Sequence, residues 1–214
     1  MGKKILITIF IFVMTAVLIE SCSLTSKNGD TLTNNTMAGK TDTAVFGAGC
    51  FWCTEALYER LKGVQLVDAG YSGGTVENPS YEQVCSGESG HAEVARIIYD
   101  PSVITYEQLL DVFWTVHDPT TLNRQGGDVG EQYRSVIFYM NDDQKQKAEK
   151  SKKDVATTLW KDPIVTEISP LKNFYVAENY HQQYYDSNPY AGYCQAIIAP
   201  KIIKFSEKFK DWIK

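Results

Sequence analysis

Two of the five cysteines stand close together in the stretch Gly47-Ala48-Gly49-Cys50-Phe51-Trp52-Cys53-Thr54-Glu55. Thr43 to Phe46 reads as a short apolar strand, the glycines as a turn, and about Cys50 to Leu61 as a helix stopped at Gly63. Cys50 thus falls at a helix start. Unpaired amides and the positive end of the helix dipole favour thiolate there, so Cys50 is expected to be a nucleophile with a lowered pKa. Cys53 lies one turn further on, where side chains at i and i+3 meet, and a reversible disulfide between the two is geometrically accessible. A C-x-x-C pair suggests a thioredoxin-like redox site or half of a zinc site. No second close Cys or Cys/His pair accompanies it, which argues against structural zinc.

The elements that must hold this pair follow from periodicity. Val64 to Tyr71 and His91 to Tyr99 alternate as strands, with the Ser72-Gly73-Gly74 turn after the first. Thr105 and Gln108 form a capping box opening a helix striped by Leu109, Leu110, Phe113 and Trp114. A glycine-rich loop from Arg124 to Glu131 precedes a strand over Tyr133 to Met140. A charged helix over Asp142 to Trp160 and a strand over Pro163 to Ile168 follow. A short helix near Glu178 to Tyr185 leads into a coil around Gly192 and Cys194, and a last helix starts near Pro200 with Ile202, Phe205, Phe209 and Trp212 on one side. Cys85, after Val84 in a short helical stretch, is expected to be buried and inert. The sum is an α+β fold, a two-layer sandwich of helices on a mixed sheet.

Length and charge narrow the function. The formal charge of −5 and pI near 5.3 argue against a nucleic-acid surface. Lys3 and Lys4 precede an unbroken apolar run from Ile5 to Ile19, too short for a membrane-spanning helix and suited to a signal peptide. Ile19-Glu20-Ser21-Cys22 resembles the cleavage box of bacterial lipoproteins. This divides the chain into a lipoprotein signal peptide (1–21), a lipidated Cys22 with a polar tether (22–42) and a catalytic domain (43–214), exported and membrane-anchored in a bacterial envelope. Glu20 is unusual in that box, so plain secretion and an uncleaved anchor stay open.

Four motifs in order, Gly49-Cys50-Phe51-Trp52, Gly70-Tyr71-Ser72-Gly73-Gly74, Gly87-Glu88-Ser89-Gly90-His91-Ala92-Glu93 and Gln132-Tyr133-Arg134-Ser135, resemble the A-type peptide methionine sulfoxide reductases. The likeness runs from about Val45 to the end. It implies a ferredoxin-like core and reduction of methionine S-sulfoxide, in proteins, peptides or free, to methionine. Cys50 would attack and become a sulfenic acid, and an intramolecular disulfide would then form for a thioredoxin-like protein to reduce. A sulfoxide needs its oxygen protonated to become a good electrophile, and Glu93, in an alternating strand with Ala95, Ile97 and Tyr99, would be the neutral acid. By the same resemblance Tyr81 and Tyr133 would donate to the sulfoxide oxygen, Asp128 would orient them, and Phe51 and Trp52 would wall the methyl pocket. His91, Tyr180, His181 and Tyr184 read as packing around it.

Family members commonly carry glycine where this chain has Cys53, which leaves the resolving thiol open. Cys194 matches the tail cysteine of many relatives, and Cys53 needs less backbone travel. Cys53 is expected to resolve first and Cys194 to relay the disulfide outward, with Cys194 acting alone as the alternative. The resemblance implies no bound cofactor or metal, and the enzyme is expected to be a monomer. A thioredoxin-type oxidoreductase and a non-enzymatic lipoprotein braced by its cysteines are the competing readings. The bulky Phe-Trp inside C-x-x-C disfavours the first.

Overall fold

The computed structural model describes residues 41–214. The signal peptide expected over 1–21, the lipid site at Cys22 and nearly all of the tether therefore lie outside the described residues. Asp42, expected to end that tether, instead opens the first strand, β1 (Asp42–Ala48). It leads through Gly49 and Cys50 into α1 (Phe51–Tyr58), followed by β2 (Val64–Ser72), α2 (Tyr81–Cys85), β3 (Ala92–Tyr99) and α3 (Tyr106–Val116). Thr105 caps α3 by accepting from the Gln108 amide while the Gln108 side chain accepts from the Thr105 amide, as the capping box predicts.

The glycine-rich stretch is not a plain loop: β4 (Arg124–Gln125) and β5 (Asp128–Val129) pair as a small antiparallel hairpin around Gly126-Gly127. β6 (Ser135–Tyr139) precedes the charged helix, which runs as α4 (Asp142–Ser151), a π-helical turn (Lys152–Ala156) and α5 (Thr157–Leu159). The strand expected over Pro163 to Ile168 forms later, as β7 (Glu167–Pro170), where Val136 to Tyr139 offer parallel partners. Ladder pairing, and not local alternation, sets that boundary. β8 (Tyr175–Val176), α6 (Tyr184–Ser187), a π-helical turn (Cys194–Ile198) and α7 (Ala199–Lys208) complete the chain.

The sheet order is β7-β6-β1-β3-β2-β8, antiparallel throughout except for the parallel β6–β7 pair. Its central part, β6-β1-β3-β2, is the split β-α-β-β-α-β arrangement, with α1 and α3 as the crossovers. One face carries Ala44, Phe46, Ala95 and Ile97 against Leu57 and Tyr58 of α1, Leu109 and Phe113 of α3 and Phe205 of α7. The other face buries Val45, Val94, Val136 and Phe138 under Leu171 and Phe174. Both faces of β1 are therefore covered, and its residues between Ala44 and Ala48 read as a continuous small or apolar run. Among the described residues no helix is long and apolar enough to cross a membrane.

Candidate active site

The turn after β1 decides where Cys50 sits. Gly49 has φ +88°, a conformation that side chains disfavour, and a Cβ there would lie 2.6 Å from Cγ of Gln125. Gly47 is pinched in the same way, its missing Cβ lying 2.7 Å from Val136 and 3.1 Å from the Glu93 carbonyl oxygen. Together they let β1 run closely between β3 and β6 and then turn sharply, so that Cys50 becomes the N-cap of α1 with no side-chain cap bond of its own. The amide of the first helical residue is left without a helical acceptor. Glu93 supplies one: the Phe51 amide donates to Glu93 Oε2 at 3.0 Å. The catalytic pair expected from the sequence is thus joined by a single backbone N–H.

Glu93 is 1 % exposed, opposite Tyr71 in the β2–β3 ladder. Burial pushes its carboxyl up to about 8, aided by the charges of Asp128 and Cys53, while the Phe51 amide pulls the other way. It holds its proton at neutral pH. Cys50 departs from the expectation of a free helix-end thiolate. Burial, the hydrogen bond with Cys53 and the nearby Glu93 all push its thiol well above the ordinary range. Cys53 moves the opposite way, to about 7, chiefly through that hydrogen bond, with the Lys201 ammonium also favouring the anion. The two thiols titrate as one coupled pair, in which burial raises Cys50 and the hydrogen bond from its partner lowers Cys53.

The expected surroundings are assembled from distant parts of the chain. Burial pushes the Tyr133 hydroxyl upward, with Glu93, Cys50 and Asp128 among the nearby groups acting on it. Tyr81 feels Glu93 and Tyr133 in turn, after burial and its hydrogen bond with Cys85. Both tyrosines, half-buried, line the apolar cluster around Cys50 and Phe51. Asp128, brought in by the β4–β5 hairpin, accepts from the Tyr193 hydroxyl at 2.7 Å, and that hydroxyl lies 3.9 Å from Cys53 Sγ. Phe51 is buried against Tyr71 and His181, with ring centroids 5.8 and 4.9 Å away. Trp52 stacks on Tyr184 at 3.7 Å, and its indole N–H donates to His181 Nδ1 at 3.1 Å. That bond leaves the ring proton on His181 Nε2, and burial keeps the ring neutral.

Two cysteines are placed differently from expectation. Cys194 does not lie in a coil: it opens the π-helical turn leading into α7, is fully buried and packs in the same cluster as Cys50 and Cys53. The apolar Ile198 and Ile202, one and two turns on, pull that segment into the core. Cys85 is exposed and not buried, because α2 is short and only Val84 faces inward. Sequence reasoning also passed over Tyr193, Lys201, Glu178 and Glu55. Glu178 accepts from the Tyr71 hydroxyl and the Tyr81 amide, both at 2.8 Å, and so anchors the start of α2. Glu55, one turn after Trp52, accepts from the Gln183 amide and is pushed up to about 7 by burial. A glutamate amid apolar helix positions was the signal for Glu55; nothing local marks the other three. Among the described residues no cluster of three His, Cys, Asp or Glu is placed to hold a metal.

Comparison with known proteins covers this whole arrangement. A family model described as peptide methionine sulfoxide reductase matches residues 42–213. Over 173 residues the chain is 54 % identical to peptide methionine sulfoxide reductase MsrA 1 of Rhodopirellula baltica, covering 81 % of this chain and 90 % of that protein. It is 51 % identical to MsrA of Saccharolobus solfataricus, covering 81 % and 97 %. Among solved structures it is similar to the reduced form of Mxr1 from Saccharomyces cerevisiae, with 39 % identity, TM-score 0.67 and coverage of 73 % of this chain and 91 % of that one. Methionine sulfoxide reductase A of Corynebacterium diphtheriae is similar at 36 % identity and TM-score 0.66, covering 74 % and 79 %. A match that begins at the first strand and ends one residue before the C-terminus shows that the chain belongs to the peptide methionine sulfoxide reductase family, oxidoreductases that reduce methionine sulfoxide with thiols.

Proposed function

We propose that this enzyme reduces the S epimer of methionine sulfoxide through a Cys50 sulfenic acid, with Glu93 as the acid. The observation that carries this reading is the Phe51 amide bridging to Glu93, which sets a proton-bearing carboxyl beside the sulfur at the helix start. The substrate methyl would rest on Phe51 and Trp52, with the Tyr81 and Tyr133 hydroxyls and the Glu93 carboxyl facing the sulfoxide oxygen. As Glu93 gives its proton to that oxygen, the Cys50 thiol passes its own proton towards the Cys53 thiolate and attacks the sulfoxide sulfur. The oxygen ends on Cys50 as S–OH, methionine leaves, and the Cys50 sulfur is oxidised by the two electrons the substrate gains. The S-epimer preference rests on the family resemblance alone.

Cys53 then resolves the sulfenic acid. Its proximity on the same helix and its lowered pKa favour it, whereas Cys194 is held in a separate, fully buried helical turn. Cys194 follows as the relay to a thioredoxin-like dithiol. Substitution of Cys50 by Ser should abolish methionine formation, and Cys53→Ser should slow closure of an intramolecular disulfide in a single turnover. Disulfide closure at the parent rate in Cys53→Ser, mapped by mass spectrometry, would assign resolution to Cys194 instead. Export and lipid attachment at Cys22 are part of the same reading, supported by the basic, apolar and cysteine pattern of residues 3–22. The mass of the mature N-terminus tests it: an unmodified Met1 would refute it.

A further inference from the structure

Lys201 projects from the first turn of α7 towards the active-site thiols, and its Nζ lies 3.8 Å from Cys53 Sγ. It is half-buried and joins no ion pair among the described residues. A lysine normally carries its ammonium out to water, and holding it over sulfur is most favourable when the sulfur bears charge. The Tyr193 hydroxyl, at 3.9 Å, is no substitute. Its single proton is already donated to Asp128, so towards Cys53 it presents a lone pair.

Resting on the cycle above, we propose that Lys201 is a catalytic residue of the resolving step: its ammonium holds Cys53 as the thiolate that closes the disulfide on oxidised Cys50. The need is greatest at that moment. Before turnover the Cys50 S–H can donate to the Cys53 sulfur, but oxygen transfer replaces it with S–OH, whose hydroxyl points away from a thiolate attacking in line with the breaking S–O bond. Cys53 then faces Asp128, Glu93, Tyr193, Cys50 and Cys194, none of which is cationic, and Lys201 is the positive group left against it. In the step itself Cys53 S⁻ attacks the Cys50 sulfur. The S–S bond forms, the S–O bond breaks, and the departing hydroxide takes up the proton that Cys53 shed, so the pair loses one water. Cys53 is oxidised and the sulfenic sulfur reduced.

The test compares the parent with Lys201→Met and Lys201→Arg in the full catalytic chain. Each is given one equivalent of a methionine sulfoxide peptide, and the Cys50 sulfenic acid is trapped with a dione reagent between about pH 6 and 10. In Lys201→Met the pH at which resolution is half-maximal should rise by about one unit. The pH 7 rate should fall about two- to fivefold, because a higher thiol pKa removes thiolate faster than the gain in intrinsic nucleophilicity restores it. Arg should keep the parent profile. An unshifted profile in Lys201→Met overturns the role of Lys201, as does a profile shifted equally by Arg, since the charge would then not be the cause. A parent that releases no methionine in the first turnover overturns the cycle itself, a result visible before any substitution is compared.

Discussion

A buried carboxyl that keeps its proton at neutral pH costs stability wherever the unfolded chain would ionise it. Glu93 goes from the ordinary 4.5 to about 8 on folding, so between those values the native state binds more protons than the unfolded state, and stability falls as pH rises through the window. At pH 7 the cost is about 3 kcal/mol. Glu93→Gln keeps the shape and an acceptor for the Phe51 amide but removes the ionisation. Urea unfolding should therefore show the variant gaining on the parent from about pH 5 to pH 8, and a gap independent of pH would contradict the assignment. The same substitution should lower methionine formation about 100-fold. It should also remove the loss of activity expected of the parent above about pH 8, where the carboxylate replaces the acid. Glu55, also raised by burial, adds a stability slope of the same sign to both proteins and does not disturb the comparison.

At the scale of an element, the β1–α1 turn carries the site. Gly49 combines a positive φ with direct contact against the β4–β5 hairpin, the hairpin that also delivers Asp128. Gly49→Ala would strain the backbone and push Gln125 away at once. A loss of about 1–3 kcal/mol is expected in chemical denaturation. The single-turnover rate should fall as well, since Cys50 and Asp128 would move together. An alanine variant with parent stability and parent rate would show that the turn is less constrained than its φ implies.

Across the whole molecule, the C-terminal segment closes over α1 from the outside. Trp52 stacks on Tyr184, Glu55 holds the Gln183 amide, and Cys194 and Lys201 approach the thiols from the start of α7. Phe205 and Phe209, further along, are anchored in the main core. A disulfide to Cys194 is expected to form by local unwinding of the Cys194–Ile198 turn, with the anchored part staying in place. Hydrogen exchange on the form whose disulfide includes Cys194 should show the 194–198 amides exchanging at least about tenfold faster than in the reduced enzyme, with the Phe205 amide unchanged. Unchanged protection of that turn in the mapped disulfide form would rule the unwinding out.

Local rules determined much of this protein from the sequence alone. The glycine turn that puts Cys50 at a helix start, the Thr105 capping box and the alternating strands are set by backbone sterics, side-chain period and bonds between near neighbours. Four short motifs in order were enough to point to the family. What only the tertiary structure decided is the state of the sulfur chemistry. The Phe51–Glu93 contact spans 42 positions, Tyr193–Asp128 spans 65 and Lys201–Cys53 spans 148. Desolvation and charge act through space, so the helix start that would ionise Cys50 in isolation is outweighed by burial, and it is the Cys53 thiol that is lowered instead. The helical burial of Cys194 is decided the same way, by apolar partners that α1 and β2 bring to it and that its own glycine-flanked neighbourhood does not announce.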